Sequence, residues 1–338
     1  MKERINYVDY AKGIAMILMI SGHCSIGGLI DKFTTPFRIP FFFIVSGFLY
    51  SNTNTTLKNI VISKAKILLI PYFVFGLFHI ALYEIMISLG KKYIDCSPIY
   101  CLLINNSWGS MPIHGIQWFL TAFFFASIFF ISIHKLNTEI KYTIFISLVF
   151  TLIGSLYIFI SNFRLPLSLG AGLVAVGLME IGYWLKKYWH ILSNLTFPYI
   201  VFILIAYCIL VLINGSTNMR SENYNIFLIF LINATIGSYI LLWAMNKLDK
   251  CKIEGLTTIC KILKYELSYI GKNSIIYMCM NEIIIILLYK LISILTHIVE
   301  VKPIASNIIN WILSLCILHF ISFIFNKRPL SFSLGRFT

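Results

Sequence analysis

Three ionisable residues, Asp9, Lys12 and His23, lie within the first long apolar run of the chain. Such groups are costly in lipid and usually face a polar interior. Lys12 and His23 are eleven positions apart, which places both side chains on one face of a helix, roughly 16 Å apart along its axis. Asp9 precedes Lys12 by one turn and can form an ion pair with it. The pattern predicts one helix face with an ion pair near one end and an imidazole near the other.

Each of these residues also has an ordinary structural interpretation. A single histidine in an apolar run is usually packed and hydrogen-bonded, and Asp9 and Lys12 alone could be an interfacial ion pair. Three ionisable groups on one face favour a functional site over that interpretation. Imidazole is the side chain best suited to move a proton near neutral pH, so His23 is the candidate for acid–base or nucleophilic chemistry.

The composition excludes an ordinary soluble protein. Of 338 residues, 59% are hydrophobic and only 12% are charged, whereas soluble domains are about a quarter charged. A membrane-spanning helix needs about 20 apolar residues. The sequence therefore predicts an all-α, polytopic transmembrane bundle of about ten spans, forming a single integral membrane domain over residues 1–338. The apolar runs are 8–28, 37–51, 68–90, 115–133, 142–161, 167–185, 197–214, 224–245, 269–293 and 304–325.

The distribution of positive charge predicts the orientation. With the N-terminus inside, the inner segments carry more than twice as many Lys and Arg residues as the outer segments, which places both termini in the cytoplasm of a multi-pass cell-membrane protein. The net charge of +14 is then explained mainly by Lys and Arg residues that anchor the helices at the inner face of the membrane. It gives no reason to expect a nucleic-acid partner. The second run is short and begins near Pro40, so we expect it to be partly re-entrant.

The cysteines indicate no metal site. Most are scattered through apolar runs or a basic loop, without metal-ligand spacing. Cys96 and Cys101 share a predicted outer loop and could pair.

At this point the chain resembles acyltransferase family 3, the integral membrane O-acyltransferases that modify bacterial surface glycans. The fucose 4-O-acetylase-like branch is the most similar. The resemblance runs in order along the whole chain and is strongest over residues 4–50. The matching segments are Arg4-x-x-x-x-Asp9-x-x-Lys12-Gly13-Ile14-Ala15, Ser21-Gly22-His23, Arg38-Ile39-Pro40-Phe41-Phe42-Phe43-Ile44-Val45-Ser46-Gly47-Phe48, Lys64-Ala65-Lys66 before Pro71-Tyr72, Trp118-Phe119-Leu120 and Ile270-Gly271-Lys272-Asn273-Ser274.

The resemblance implies a role for His23 as the catalytic residue, acting either as general base on a hydroxyl or as carrier of the acyl group. Asp9 would hold Lys12. The acyl donor would be cytoplasmic acetyl-CoA, a substrate rather than a permanently bound cofactor, and Lys64 and Lys66 are candidates for its phosphates.

The acceptor implied by the resemblance is a glycan or lipid-linked saccharide. Arg38, Trp118 and Asn281 are candidate acceptor-side residues, and Glu282 follows Asn281 in the ninth apolar run. Two positions depart from the branch: Arg38-Ile39-Pro40 stands where His-Met-Pro is common, and Asn281 stands where a histidine is common. His79 and His319 are predicted to be packed and hydrogen-bonded.

Two other classes of protein remain compatible with the sequence. A secondary transporter or exporter of a glycan or small solute would also have ten helices and buried charges, but no clear internal symmetry is visible. A sensory or scaffold domain gives no reason for the Lys12–His23 register.

Overall fold

The computed structural model describes residues 4–88, 97–106, 117–136, 139–161, 164–251, 257–296 and 303–336. Over these residues the fold is all-α, as predicted, and an isolated bridge between Asn218 and Asn223 is the single β pairing. The α-helices are α1 (Asn6–His23), α2 (Gly28–Arg38), α3 (Pro40–Phe48), α4 (Leu57–Ser88), α5 (Pro98–Leu103), α6 (Trp118–Lys135), α7 (Ile140–Ile160), α8 (Leu169–Lys187), α9 (Trp189–Leu192), α10 (Phe197–Asn214), α11 (Phe227–Lys250), α12 (Thr257–Lys272), α13 (Ser274–Thr296) and α14 (Pro303–Phe325). Short 3-10 helices cover Pro166–Ser168 and Leu330–Leu334.

Eight helices within the described ranges are long and apolar enough to cross a membrane: α4, α6, α7, α8 with the 3-10 turn before it, α10, α11, α13 and α14. The protein is therefore a polytopic membrane protein. Helix α1 has 18 residues but is more polar than most of these helices. Helix α3 has nine residues and a length of about 14 Å, less than half of the hydrocarbon thickness of about 30 Å. The ten-span count and the orientation of the termini stay predictions.

Two breaks in the helices fall at Pro40 and Asn273. Pro40 lacks an N–H group and cannot donate the hydrogen bond that would continue α2, so α2 ends at Arg38 and α3 begins with Pro40 at its first position. The prediction of one unbroken run over 269–293 was wrong, because the chain breaks at Asn273. At this residue both the side-chain amide and the backbone N–H donate to the Tyr269 carbonyl, at 2.9 Å and 3.1 Å.

The chain folds into two compact units, each assembled from segments that are distant in sequence. The first comprises residues 1–49, 181–217 and 225–322, and the second comprises residues 50–180, 218–224 and 323–338. The single-domain assignment remains a prediction.

The first unit is built around α1, which packs against α2, α11, α12 and α13. Two glycines allow α1 and α12 to approach backbone to backbone. A Cβ atom on Gly13 would lie 2.3 Å from the Leu267 carbonyl oxygen, and one on Gly271 would lie 2.0 Å from the Asp9 carbonyl oxygen. Any larger side chain at either position would separate the helices, so this crossing fixes the position of Asp9.

The second unit contains a cluster of hydrogen-bonded polar side chains centred on Asn106, which is fully buried. The Asn106 amide donates to Thr121 Oγ1 at 2.9 Å and to the Tyr72 hydroxyl at 3.2 Å, and Ser168 Oγ donates to Asn106 Oδ1 at 2.8 Å. Tyr72 in turn donates to the Leu102 carbonyl at 2.5 Å. This cluster joins α4, α5, α6 and the 3-10 turn before α8, and its hydrogen bonds satisfy polar groups that are buried away from water.

Candidate functional site

Helix α1 carries the predicted polar residues on one uninterrupted helix. Asp9 and Lys12 lie in its first two turns, and His23 is its last residue. The run between them contains no proline and is rich in Ala, Ile, Leu and Met, which are compatible with a helix in an apolar environment. The structure therefore places Lys12 and His23 in the register expected from their spacing.

Asp9 bridges two cations near the start of α1. The residue is 4% exposed, Arg4 Nε lies 2.6 Å from Asp9 Oδ2, and Lys12 Nζ lies 3.8 Å from Asp9 Oδ1. The predicted Asp9–Lys12 ion pair is confirmed, and Arg4 is an additional partner that the sequence did not indicate. Because a buried carboxylate needs compensating charge, Asp9 holds both cations beside the start of the helix.

Arg38 lies beside the other end of α1. Its Nη1 atom donates to Asp31 Oδ1 at 2.6 Å and to the Leu18 carbonyl at 3.3 Å. A Cβ atom on Gly22 would lie 2.3 Å from Arg38 Nη1, so the guanidinium packs directly on the residue that precedes His23. The His23 side chain is exposed. The guanidinium, which is paired with Asp31, thus lies against the residue next to an exposed imidazole. Imidazole is suited to proton transfer, and guanidinium is suited to stabilise a developing oxyanion.

Asn281 lies on α13, a helix that packs against α1, and its side-chain oxygen accepts no hydrogen bond from the described residues. The residue is fully buried. Its Nδ2 donates to the Tyr277 and Met278 carbonyls, both at 2.9 Å, whereas its Oδ1 has no hydrogen-bond partner among the described residues. A buried oxygen without a donor is costly. Glu282, the next residue, is half-buried.

Asn233 on α11 is a polar residue that the sequence analysis did not single out. It is fully buried, and over the described part of the chain neither its Nδ2 nor its Oδ1 has a hydrogen-bond partner. Helix α11 packs on α1 and α2, the helices that carry His23 and Arg38. An amide inside the apolar run 224–245 was the available signal, since such a group needs a partner.

Trp118, Lys64 and Lys66 belong to the second unit. Trp118 is the first residue of α6 and is 3% exposed, so it is packed inside the protein. Lys64 Nζ lies 5.8 Å from the centre of the Phe123 ring, whereas Lys66 lines a cavity with Gly335. The two lysines are two positions apart and project from different faces of α4. Their neighbours therefore differ, and the structure does not place the two side chains together.

Two further histidines in apolar runs, His79 and His319, are hydrogen-bonded, as predicted. His79 is 2% exposed and its Nδ1 lies 3.2 Å from Gln117 Nε2. His319 Nδ1 lies 3.3 Å from the Tyr277 hydroxyl, and its ring packs on Tyr269. Both are packed and hydrogen-bonded. Across the described residues, no group of three His, Cys, Asp or Glu side chains is placed to hold a metal ion. Cys101 is disulfide-bonded, and Cys96 lies outside the described residues.

A buried histidine–carboxylate pair, which the sequence did not predict, joins α6 and α8. His134 Nε2 lies 2.9 Å from Glu180 Oε2, and the two side chains are 11% and 8% exposed. Ser147 Oγ donates to the same carboxylate oxygen at 3.3 Å, and the His134 ring packs on Phe130. The environment is typical of a structural pair rather than of an accessible catalytic one.

Replacing Glu180 with leucine is expected to destabilise the protein by about 3 kcal/mol, because the substitution leaves a buried imidazole and a buried hydroxyl without their acceptor. Thermal unfolding of purified protein in detergent would measure the loss. Glu139→Gln is the matched control, since Glu139 pairs with Lys141 while both side chains are more than 60% exposed, and such pairs contribute little. Equal melting temperatures for the two variants would contradict the structural role of the pair.

The fold and the α1 residues define the class of the protein, a multi-pass membrane protein with ionisable groups placed along one helix. The family model for an acyltransferase domain, that of acyltransferase family 3, matches residues 5–327. The chain therefore belongs to acyltransferase family 3, as its sequence segments indicated, and is a membrane acyltransferase. Neither a curated protein nor a solved structure gives a significant match to it.

Proposed function

We propose that this protein transfers an acetyl group from cytoplasmic acetyl-CoA to a hydroxyl of a cell-surface or exported glycan, and that it does so in the bacterial cell membrane. One observation carries the proposal: an exposed His23 ends the same helix that holds the buried Asp9 ion pair, and the Arg38 guanidinium packs on the residue before it. Proton transfer and charge stabilisation are the two functions that acyl transfer to a hydroxyl needs.

In the direct route, His23 takes the proton from the acceptor hydroxyl. The hydroxyl oxygen attacks the thioester carbonyl carbon, and the negative charge that develops on the carbonyl oxygen is stabilised by Arg38, whose Nε is buried without a partner among the described residues. The carbon–sulfur bond then breaks. The proton held by His23 passes to the thiolate, and CoA leaves as a thiol.

In the covalent route, the His23 imidazole attacks the thioester carbonyl carbon, the carbon–sulfur bond breaks, and CoA leaves as a thiol with the imidazole proton. The acceptor hydroxyl oxygen then attacks the acetyl-imidazole, the carbon–nitrogen bond breaks, and the imidazole leaves with the hydroxyl proton. The two routes differ in one measurable intermediate. Rapid quenching of protein mixed with labelled acetyl-CoA in the absence of acceptor leaves label on His23 only in the covalent route.

The remaining residues are assigned to the two substrates. Lys12, together with Lys64 and Lys66, is assigned to the acyl-CoA donor, because ammonium groups bind phosphate as point charges. Asn281 is assigned to the acceptor through its unpaired Oδ1. Trp118 is assigned to the acceptor on the resemblance, and Glu282 is assigned to it because it follows Asn281 in an apolar run.

Mass spectrometry of the surface glycan from cells with and without this protein tests the proposal. We expect acetyl esters on the glycan only when the protein is present. Proton-coupled uptake of a solute into vesicles, without binding of labelled acetyl-CoA to the purified protein, would instead identify a transporter and contradict the proposal.

A further inference from the structure

The residues that follow α14 fold back onto the start of α4, within the second unit. The 3-10 helix Leu330–Leu334 packs on α4, and Leu334 is 3% exposed. Gly335 has a φ of 70°, and a Cβ atom there would lie 2.1 Å from the Lys66 carbonyl oxygen. The two backbones thus meet at a point where only glycine fits.

Hydrogen bonds fix the shape of this C-terminal segment, which we define as residues 327–336. The Gly335 N–H donates to the Phe332 carbonyl at 2.9 Å, and the Arg336 N–H donates to the Ser331 carbonyl at 3.2 Å, the paired bonds of a Schellman turn. The Arg336 guanidinium also donates to Asn326 Oδ1. The C-terminal segment is therefore an ordered part of the second unit. It lies almost entirely beyond residue 327, where the family match ends.

An open surface cavity of about 340 Å³ lies where the C-terminal segment meets α4, and its lining side chains on α4 are exposed. Its volume falls in the range of small-molecule sites. The lining residues are Asn59, Ile62, Ser63, Lys66, Ile67 and Gly335. An amide, a hydroxyl and an ammonium group therefore share the cavity with two isoleucine side chains, a combination suited to a ligand with phosphates and an apolar ring.

The two chain segments that meet at the cavity carry charge of one sign only. Lys66 lines the cavity, and neither residues 57–66 nor residues 327–336 contain an Asp or Glu, whereas each stretch contains three Lys or Arg residues. Clefts lined by one sign of charge concentrate ligands of the opposite sign. The cavity therefore favours an anion.

We propose that the cavity between α4 and the C-terminal segment binds the phosphate-bearing nucleotide end of the acyl-CoA donor, with Lys66 and the Gly335 backbone as its determinants. The inference rests on the proposed function, which supplies a donor with several phosphates and an adenine ring. It adds the C-terminal segment, which the sequence analysis had not assigned to any role, to the residues of the second unit that are proposed to bind the donor.

Equilibrium binding of labelled acetyl-CoA to the full-length protein in nanodiscs tests the inference. We expect adenosine 3′,5′-bisphosphate to compete with acetyl-CoA in the wild type. Lys66→Gln is expected to raise the Kd about tenfold through loss of a charge-assisted contact. Gly335→Ala is expected to raise it by a similar factor, because the added methyl group pushes the C-terminal segment away from α4.

Two matched controls keep the test specific. Lys141→Gln removes the same charge from an exposed position in the same unit. Gly215→Ala places an alanine at a φ of 68° where a Cβ atom would meet only the Asn225 amide at 3.8 Å. Both controls are expected to bind acetyl-CoA as the wild type does.

Three outcomes would count against the inference. Wild-type binding of acetyl-CoA with unchanged Kd values in both Lys66→Gln and Gly335→Ala would overturn the cavity as a donor site and leave the proposed function standing. If the cavity instead binds an anionic lipid headgroup, both variants will again bind acetyl-CoA with unchanged Kd values. In that case phosphatidylglycerol will raise the Tm of the wild type but not of the variants. A wild type that binds no acetyl-CoA would overturn the proposed function itself.

Discussion

Replacing His23 with alanine is expected to lower acetylation of the glycan by about 10²- to 10⁴-fold, the usual contribution of a positioned proton-transfer group. If His23 also carries the acetyl group, the loss will be at the upper end of this range. The side chain is exposed at the end of α1, so its removal creates no cavity in the core. The measurement is the rate of O-acetylation in membranes, with the amount of folded protein matched between samples.

The control for this experiment is His190→Ala, because His190 is also exposed and lies at a helix that carries none of the proposed site residues. It should retain the wild-type rate. A His23→Ala variant that is folded, normally expressed and as active as the wild type would remove His23 from the mechanism.

Replacing Asp9 with alanine is expected to have the second largest effect, a loss of about 3 kcal/mol of stability together with most of the activity. Breaking a buried pair leaves an uncompensated charge, and the Lys12 side chain is only 24% exposed. Arg4 contributes less to the penalty, since its side chain is 60% exposed and can reach water. Thermal unfolding in detergent and the acetylation rate would be measured in parallel.

The double variant Asp9→Ala, Lys12→Met separates stability from activity. Removing the orphaned ammonium group should restore much of the lost stability, whereas the activity should stay low because Lys12 is proposed to contact the donor. Equal destabilisation of the single and double variants would show that the ion pair is not what Asp9 contributes. A double variant with wild-type activity would exclude Lys12 from the donor site.

The sequence predicted the features that depend on local spacing. The register of Lys12 and His23 follows from helical geometry, and the Asp9–Lys12 pair follows from a separation of three residues. The helix Phe197–Asn214 coincides with its apolar run. Each of these features involves one helix, so no knowledge of packing between helices is needed.

The features that the sequence missed depend on which helices meet. Glu180 was visible as a carboxylate in an apolar run, but its partner His134 lies 46 positions earlier on another helix. Arg38 was assigned on the resemblance, whereas its contact with Gly22 depends on how α2 turns back along α1. The cavity beside Lys66 needs the C-terminal segment, and the contact between Gly335 and the Lys66 backbone that forms it joins residues far apart in the sequence.

The break at Asn273 shows a different limit. Hydropathy averages over a window, so a single polar residue between two apolar stretches does not interrupt the signal. At Asn273 the side-chain amide and the backbone N–H both donate to the Tyr269 carbonyl, and the helix is interrupted there. The span begins at Ser274, and α12 packs against α1.

Acetyl transfer by purified protein tests the central proposal most directly. The protein would be mixed with [14C]acetyl-CoA and the surface glycan of its host, and both alkali-labile label on the glycan and free CoA thiol would be followed. We predict that the wild type produces the two in equal amounts and that His23→Ala produces neither. Equal labelling of the glycan by the wild type and the His23→Ala variant, or no labelling by a wild type that binds acetyl-CoA, would contradict the proposal.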